Sequence, residues 1–201
     1  MPETAPQNGY FCLIKRGGRK VNILEDAKAV VLELYASLCS KIGDQPLEKV
    51  VEVIGRSNRL FLAGTGCSEM ILRVFANRLV HLGFRVGMIG DLISPVPEKG
   101  DTILFSSKSG ENPALLNAAR KARLHGIKMV AITASPESTL AKMADVTVLL
   151  PDESSEFESI KQAGPTPERI GTLFELLSFL IYDVITASLM KKRQPEKVCL
   201  K

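Results

Sequence analysis

The spacing of apolar residues changes along this chain, and the change marks out its elements. Between Ile23 and Ile42 the apolar positions Ala27, Val30, Val31, Leu34, Leu38 and Ile42 recur every three to four residues, and Gly43 follows them. That spacing predicts one face of a helix, stopped by the glycine. Pro46 opens a second helix that runs through Ile54 and closes at Gly55. Beyond it the helical period is broken by short continuous apolar runs: Leu60 to Ala63, Phe84 to Ile89, Thr102 to Phe105, Met129 to Thr133 and Val146 to Leu150. Runs of this length, bounded by Gly, Pro, Asp or Ser, read as strands buried on both faces. Helical patterns fall between several of them, at Ser68 to Leu82, Pro113 to His125 and Pro136 to Met143. Asp152 to Gly164 reads as a polar loop. A long apolar helix follows from Pro167 to about Lys192, with Thr166 as its cap.

Strands alternating with helices predict an α/β fold, a parallel sheet with helices on both faces. A length of 201 residues with 45% apolar content suits one sizeable core. The expected organisation is an arm over residues 1–20, one domain over 21–193 and a tail over 194–201. Residues 1–20 carry a net charge of +3 and residues 191–201 a net +4, so the stretch between carries −3 of the overall +4. Solvated ends account for the basic charge, and the middle is too acidic for a nucleic-acid-binding face. No secretory leader or charge-free apolar span of about twenty residues is evident, which points to a soluble cytosolic protein without a membrane partner. Cys12, Cys39, Cys67 and Cys199 lack paired spacing, and His81 and His125 do not complete a ligand set with them. Neither a disulfide framework nor a metal site is expected.

The chemistry of an open parallel sheet gathers beyond the carboxyl ends of its strands. After the third strand the chain reads Ser106-Ser107-Lys108-Ser109-Gly110-Glu111-Asn112-Pro113, where Asn112 can cap a helix that starts at Pro113. Hydroxyls, backbone N–H groups and a positive helix end would converge there, which suits a phosphate monoester. An ordinary polar strand-to-helix turn would have the same composition. After the first strand, Gly64-Thr65-Gly66-Cys67-Ser68 makes a tight turn that allows close backbone approach. A dinucleotide site is disfavoured here: Glu69 stands where the third glycine of the fingerprint would be, and its carboxylate would oppose a pyrophosphate. Cys67 near a helix start invites a reactive thiol, though an inert loop cysteine is the simpler expectation. His81 reads as a core or interface residue and His125 as a helix-end residue. Glu175, within the apolar stretch Leu173 to Ile185, is either a buried carboxylate with a raised pKa fit for a general base, or an ion-paired or solvent-facing residue at a helix start.

Together these segments resemble the sugar isomerase (SIS) domain, and most closely its 6-phospho-3-hexuloisomerase branch, from about Pro46 to Lys192. The residues that carry the resemblance are Gly64 to Ser68, Arg78 to Val86 (RLVHLGFRV), Ser107 to Glu111 and Gly171 to Glu175. The resemblance implies a five-stranded parallel sheet in a three-layer αβα sandwich of flavodoxin-like topology, assembled as a dimer or as a tetramer of two dimers. It implies that Ser107, Ser109 and Asn112 line a phosphate site, that Ser68 also reaches the phosphorylated sugar, and that Gly64, Gly66 and Thr172 belong to the same binding set. Glu175 matches the base of related isomerases. Cys67 stands where that branch has arginine, and Lys108, where glycine or a polar residue is usual, is the cation offered in its place. The implied reaction is cofactor-independent, metal-free transfer of a proton between adjacent carbons through a cis-enediol, converting a 3-hexulose 6-phosphate to fructose 6-phosphate. An arabinose 5-phosphate isomerase, or a noncatalytic sugar-phosphate sensor built on the same domain, are the alternatives.

Overall fold

The computed structural model describes residues 22–152 and 172–193. The expected arm at 1–20, the tail at 194–201 and the helix start at Thr166 and Pro167 lie outside the described residues. The elements run α1 (Ile23–Lys41), α2 (Asp44–Arg56), β1 (Leu60–Gly64), α3 (Cys67–His81), β2 (Val86–Met88), β3 (Thr102–Ser106), α4 (Pro113–Leu124), β4 (Lys128–Thr133), α5 (Thr139–Met143), β5 (Val146–Leu149) and α6 (Leu173–Arg193). The strands form one sheet in the order β2-β1-β3-β4-β5, with every neighbouring pair parallel. Leu60 pairs with Thr102, and Thr102 with Lys128, so the three central strands begin in step and end along one edge.

Each strand alternates its side chains between two packed faces, as the pleat requires. Leu60, Leu62, Leu104, Val130, Ile132 and Val148 join the core beneath α2, α3 and α6. Phe61, Ala63, Ile103, Phe105, Met129 and Ala131 join a second core beneath α4 and α5. Burial on both faces is why β3 is apolar or small almost throughout, rather than alternating polar and apolar. This is the expected αβα sandwich.

Several boundaries differ from the sequence expectation, each for a local reason. α2 starts at Asp44, two residues before Pro46, because a proline in the first turn forfeits only an N–H that has no intrahelical partner. Gly55 lies within that helix, and Ser57 is its carboxyl cap. β2 keeps only three residues of the apolar run from Phe84 to Ile89. α5 begins at Thr139, not Pro136, since Ser138 caps it by accepting the Ala141 N–H.

α6 is long and apolar enough, by length and composition alone, to cross a membrane. Its buried stripe nevertheless belongs to the core: Leu173, Phe174, Leu177, Ile181, Tyr182, Ile185 and Leu189 are all inside. Tyr182 stacks on Phe75 of α3, ring centroids 4.8 Å apart, a contact worth about 1 kcal/mol beyond the area it buries. The run of α6 across the sheet follows from its two ends. Arg193 donates to the Leu82 carbonyl at 2.6 Å and lies over the Phe84 ring, just ahead of β2, on the amino-terminal side of the sheet. Tyr182 instead meets Ser106 at the carboxyl end of β3. The first turn of α6 therefore stands beyond the carboxyl edge of the sheet.

The opposite edge is held by an ion pair between a partly exposed arginine and a buried aspartate. Arg59, just ahead of β1, donates to both oxygens of Asp101, just ahead of β3, with a shortest contact of 2.7 Å. Asp101 is 2% exposed and also accepts the Glu98 N–H. Burial alone would raise the Asp101 pKa. The Arg59 hydrogen bonds, the backbone N–H and the attraction of the guanidinium outweigh it and hold the carboxyl below its usual range. A carboxylate with a depressed native pKa contributes stability above the unfolded value of about 4 and loses it as pH falls through the native value. Asp101→Asn should lower stability at neutral pH in urea unfolding, with the gap to wild type closing below about pH 4.

Candidate functional site

The β1–α3 turn is shaped by its glycines. A side chain at Gly64 would press within 2.9 Å of Leu72 and 3.0 Å of the Glu69 nitrogen, so the turn can lie against α3 only as glycine. Gly66 takes φ +60 and caps α3 without a side chain, leaving the helix start open. Cys67 and Ser68 are the first two helical residues, and their N–H groups precede the first intrahelical bonds. Cys67 is exposed there. The Glu69 carboxylate, the feature that argued against a pyrophosphate, is bound along the helix by Arg73 at 2.8 Å. Arg73 also donates to Asp91 beyond β2, and Asp91 first and Glu69 second raise its pKa above the ordinary arginine value.

The β3–α4 loop is built from its own side chains. The Ser107 hydroxyl, 7% exposed, accepts the Gly110 N–H, and the Ser109 hydroxyl accepts the Glu111 N–H. Gly110 takes φ +66 and a β-carbon there would collide with Ser138. The Lys108 carbonyl accepts the Thr133 hydroxyl and the Ala134 N–H, both at 3.0 Å, tying the loop to the end of β4. Asn112 Oδ1 accepts the N–H groups of Ala114 and Leu115, the predicted cap, and its Nδ2 donates to Thr65 Oγ1 at 3.3 Å. That bond joins the two loops. Glu111 Oε1 accepts the Thr139 N–H at 2.6 Å, at the start of α5. Lys108 extends to Asp152, just past β5, with Nζ 3.1 Å from Oδ2.

These bonds correct the expectation of a wholly open anion cradle. The N–H groups of Gly110, Glu111, Ala114 and Leu115 are spent inside the loop, and Pro113 has none. A serine oxygen that accepts one bond still has its own hydrogen to donate. Among the described residues, the donors the loop keeps for a ligand are the hydroxyls of Ser107 and Ser109, the N–H groups of Lys108, Ser109 and Asn112, and the Lys108 ammonium once released from Asp152.

Glu175 is half-buried at the helix start, between the two readings that the sequence leaves open. Its Oε2 accepts the Thr172 N–H at 2.9 Å while its own N–H donates to Thr172 Oγ1 at 3.3 Å, so the pair forms a capping box. Among the described residues Oε1 has no hydrogen-bond partner. Glu175 precedes Tyr182 by seven residues, a rise of about 10 Å, which places it at the carboxyl edge on the face of the sheet that α3 covers. His81 is exposed at the end of α3, not in the core, and His125 caps α4 as expected. Among the described residues no three His, Cys, Asp or Glu side chains cluster as a metal site. Among the described residues, concavities also lie between α2 and α6 and along the amino-terminal edge by Glu52, Arg56 and Lys128. The carboxyl edge is favoured instead by its chemistry, since the glycine turn, the two serine hydroxyls and the Lys108 ammonium gather there.

Residues 54–174 match the SIS domain. The chain belongs to the SIS domain family. It is 33% identical over 165 residues to the 3-hexulose-6-phosphate isomerase of Bacillus subtilis, covering 82% of this chain and 87% of that protein. It is 30% identical over 146 residues to the 3-hexulose-6-phosphate isomerase of Methylomonas aminofaciens, covering 73% and 78% respectively. Its structure resembles that of a hypothetical protein from Methanococcus jannaschii, inferred to be a 3-hexulose-6-phosphate isomerase, with a TM-score of 0.70 and 26% identity over 84% of this chain and 91% of that one.

Sequence reasoning singled out the two loops of this SIS domain and its Glu175, but not Thr65, Thr133 or Asp152. Asp152 had a usable signal, since it follows a predicted strand and so falls at the same edge as the other loops. Thr65 and Thr133 matter only through partners distant in sequence. Asn112→Ala should remove both cap bonds and the link to Thr65, lowering stability by about 1 kcal/mol in urea unfolding, while Asn112→Asp retains the cap.

Proposed function

We propose that this SIS domain is a phosphosugar isomerase of the 3-hexulose-6-phosphate isomerase type, interconverting a 3-hexulose 6-phosphate and fructose 6-phosphate. The observation that carries the reading is the serine loop and the open α3 start, joined by Asn112 and Thr65, on the same edge as the Glu175 helix start. The relatives named above agree in type.

In this reading the phosphate is held by Ser107, Ser109, Asn112 and the Lys108 ammonium, with Ser68 and the backbone of Gly64 and Gly66 against the sugar. Thr172 fixes the carboxylate of Glu175, which takes the proton from C2. The electrons pass to the C3 carbonyl and form the cis-enediolate. The proton of the C2 hydroxyl passes to the C3 oxygen and the same carboxyl returns its proton to C3, so that C2 becomes the carbonyl and C3 the hydroxyl. C2 is oxidised as C3 is reduced, so there is no net redox change, and the atoms balance within the substrate. The enediolate oxygen needs a donor at the moment its charge develops.

The enzyme works as a cytosolic homo-oligomer, a dimer or a tetramer of two dimers. The support is apolar surface on adjoining helices: Val31 and Tyr35 of α1 are 62% and 66% exposed, and Met70 and Val80 of α3 are 66% and 54% exposed. Phe179 and Val184 of α6 continue it. Exposed large apolar side chains concentrated on neighbouring helices are of the kind that subunit contacts cover. Val31→Glu with Tyr35→Glu should shift the sedimentation coefficient toward the monomer while leaving the far-ultraviolet circular dichroism unchanged.

Glu175→Gln separates binding from catalysis, because a glutamine oxygen still completes the capping box. Exchange of substrate hydrogen in deuterated water should fall at least about a hundred-fold, while fructose 6-phosphate still raises the melting temperature. Stabilisation by fructose 6-phosphate without exchange in the wild type would mean a binding protein rather than an enzyme.

A further inference from the structure

Lys108 is the one cation within the serine loop, and it is already engaged by a carboxylate of this same chain. Asp152 reaches it from beyond β5, 3.1 Å from Nζ, across the end of β4, where the Lys108 carbonyl is pinned by Thr133 and Ala134. The backbone of Lys108 is thus fixed while its side chain has a choice of anion. Lys108 is 46% exposed and Asp152 29% exposed, so the pair sits at the rim of the loop, where water and ligands reach it. The hold is also incomplete. Asp152 offers Lys108 one oxygen, and its other oxygen is buried with no hydrogen-bond partner among the described residues. A buried oxygen without a donor weakens the carboxylate's claim to its place.

We infer that Asp152 is a tethered internal anion that occupies Lys108 until a phosphate monoester dianion displaces it, which makes Asp152 a specificity-determining residue of the site. The inference rests on the proposed binding of sugar phosphate at this loop. A monoanionic ligand that replaced Asp152 at Lys108 would exchange one negative charge for another and gain little. A dianion with three acceptor oxygens gains both charge and hydrogen bonds. Uncharged sugars cannot compete for Lys108 at all. The same competition loosens the phosphorylated product, because Asp152 returns to Lys108 as the product leaves.

The test is a double-mutant cycle read by isothermal titration calorimetry with fructose 6-phosphate, using wild type, Asp152→Asn, Lys108→Gln and the double variant. Circular dichroism and melting temperature check that each is folded, and Asp152→Ser serves as a second neutral variant. With the competitor gone, Asp152→Asn and Asp152→Ser should each tighten binding about three- to five-fold, the range of a partly exposed ion pair. In the Lys108→Gln background the same changes should have no effect, because there is no cation to release. Asp152→Glu should keep the wild-type affinity. If Asp152→Asn leaves affinity unchanged, or tightens it equally with and without Lys108, the competition is refuted and Asp152 acts only as surface charge. If wild type and Asp152→Asn both fail to bind fructose 6-phosphate and inorganic phosphate, the phosphate-site reading itself falls, and the competition falls with it.

Discussion

The parallel direction of all five strands is the constraint on which the rest of the molecule depends. Parallel neighbours cannot be joined by a tight hairpin, so each connection crosses back over a face, and most of these crossovers carry a helix. Both faces are then covered, and the strands must be apolar throughout. The same geometry brings the carboxyl ends of β1, β3, β4 and β5 to a single edge. Loops distant in sequence become neighbours there: Thr65 meets Asn112, Lys108 is bound by Thr133, and Asp152 closes on Lys108. The candidate site follows from topology before any one residue is considered.

Within that edge, the side chains that suit an anion also build the loop. Ser107 and Ser109 hold the backbone of Gly110 and Glu111, and Asn112 caps α4 while tying the loop to Thr65. Their positions are therefore set by folding and not by the ligand, and the two hydroxyl oxygens are in place before a ligand arrives. Such preorganisation lowers the ordering cost of binding. Gly110 completes the arrangement, because its positive φ and the nearness of Ser138 admit no side chain.

α6 joins the stability of the core to the chemistry of the edge. Its apolar stripe packs on α3 through Tyr182 and Phe75, and Arg193 anchors its far end to the carbonyl of Leu82. Burial pushes the Tyr182 phenol well up, with the Ser106 hydroxyl offsetting only part of the effect, so this residue stays neutral beneath the serine loop. With the helix fixed along its length, its first turn is carried beyond the sheet, and the capping box with Thr172 holds the Glu175 carboxylate there.

Periodicity in the sequence determined what is local: the five strands, the helices between them, the glycine turn at Gly64 to Gly66 and the Asn112 cap. These were legible because a buried strand must be apolar on both faces and a helix start must satisfy its own N–H groups, whatever the rest of the chain does. The resemblance of the loop segments pointed to the family through the order and spacing of short motifs. Only the tertiary structure decided what depends on distant partners. For Glu175 the apolar sequence neighbours left a buried carboxylate and a solvent-facing one both open, and the fold decided between them: the helix start is half in solvent, and the Thr172 N–H claims one of its oxygens. Asp152 looked like one acidic residue at the start of a polar loop, and it became the partner of Lys108 because β3, β4 and β5 end side by side. Spacing along a chain reports which residues share a face of one element. Which elements end together is set by the burial of both faces of the sheet, a property of the whole chain rather than of any segment of it.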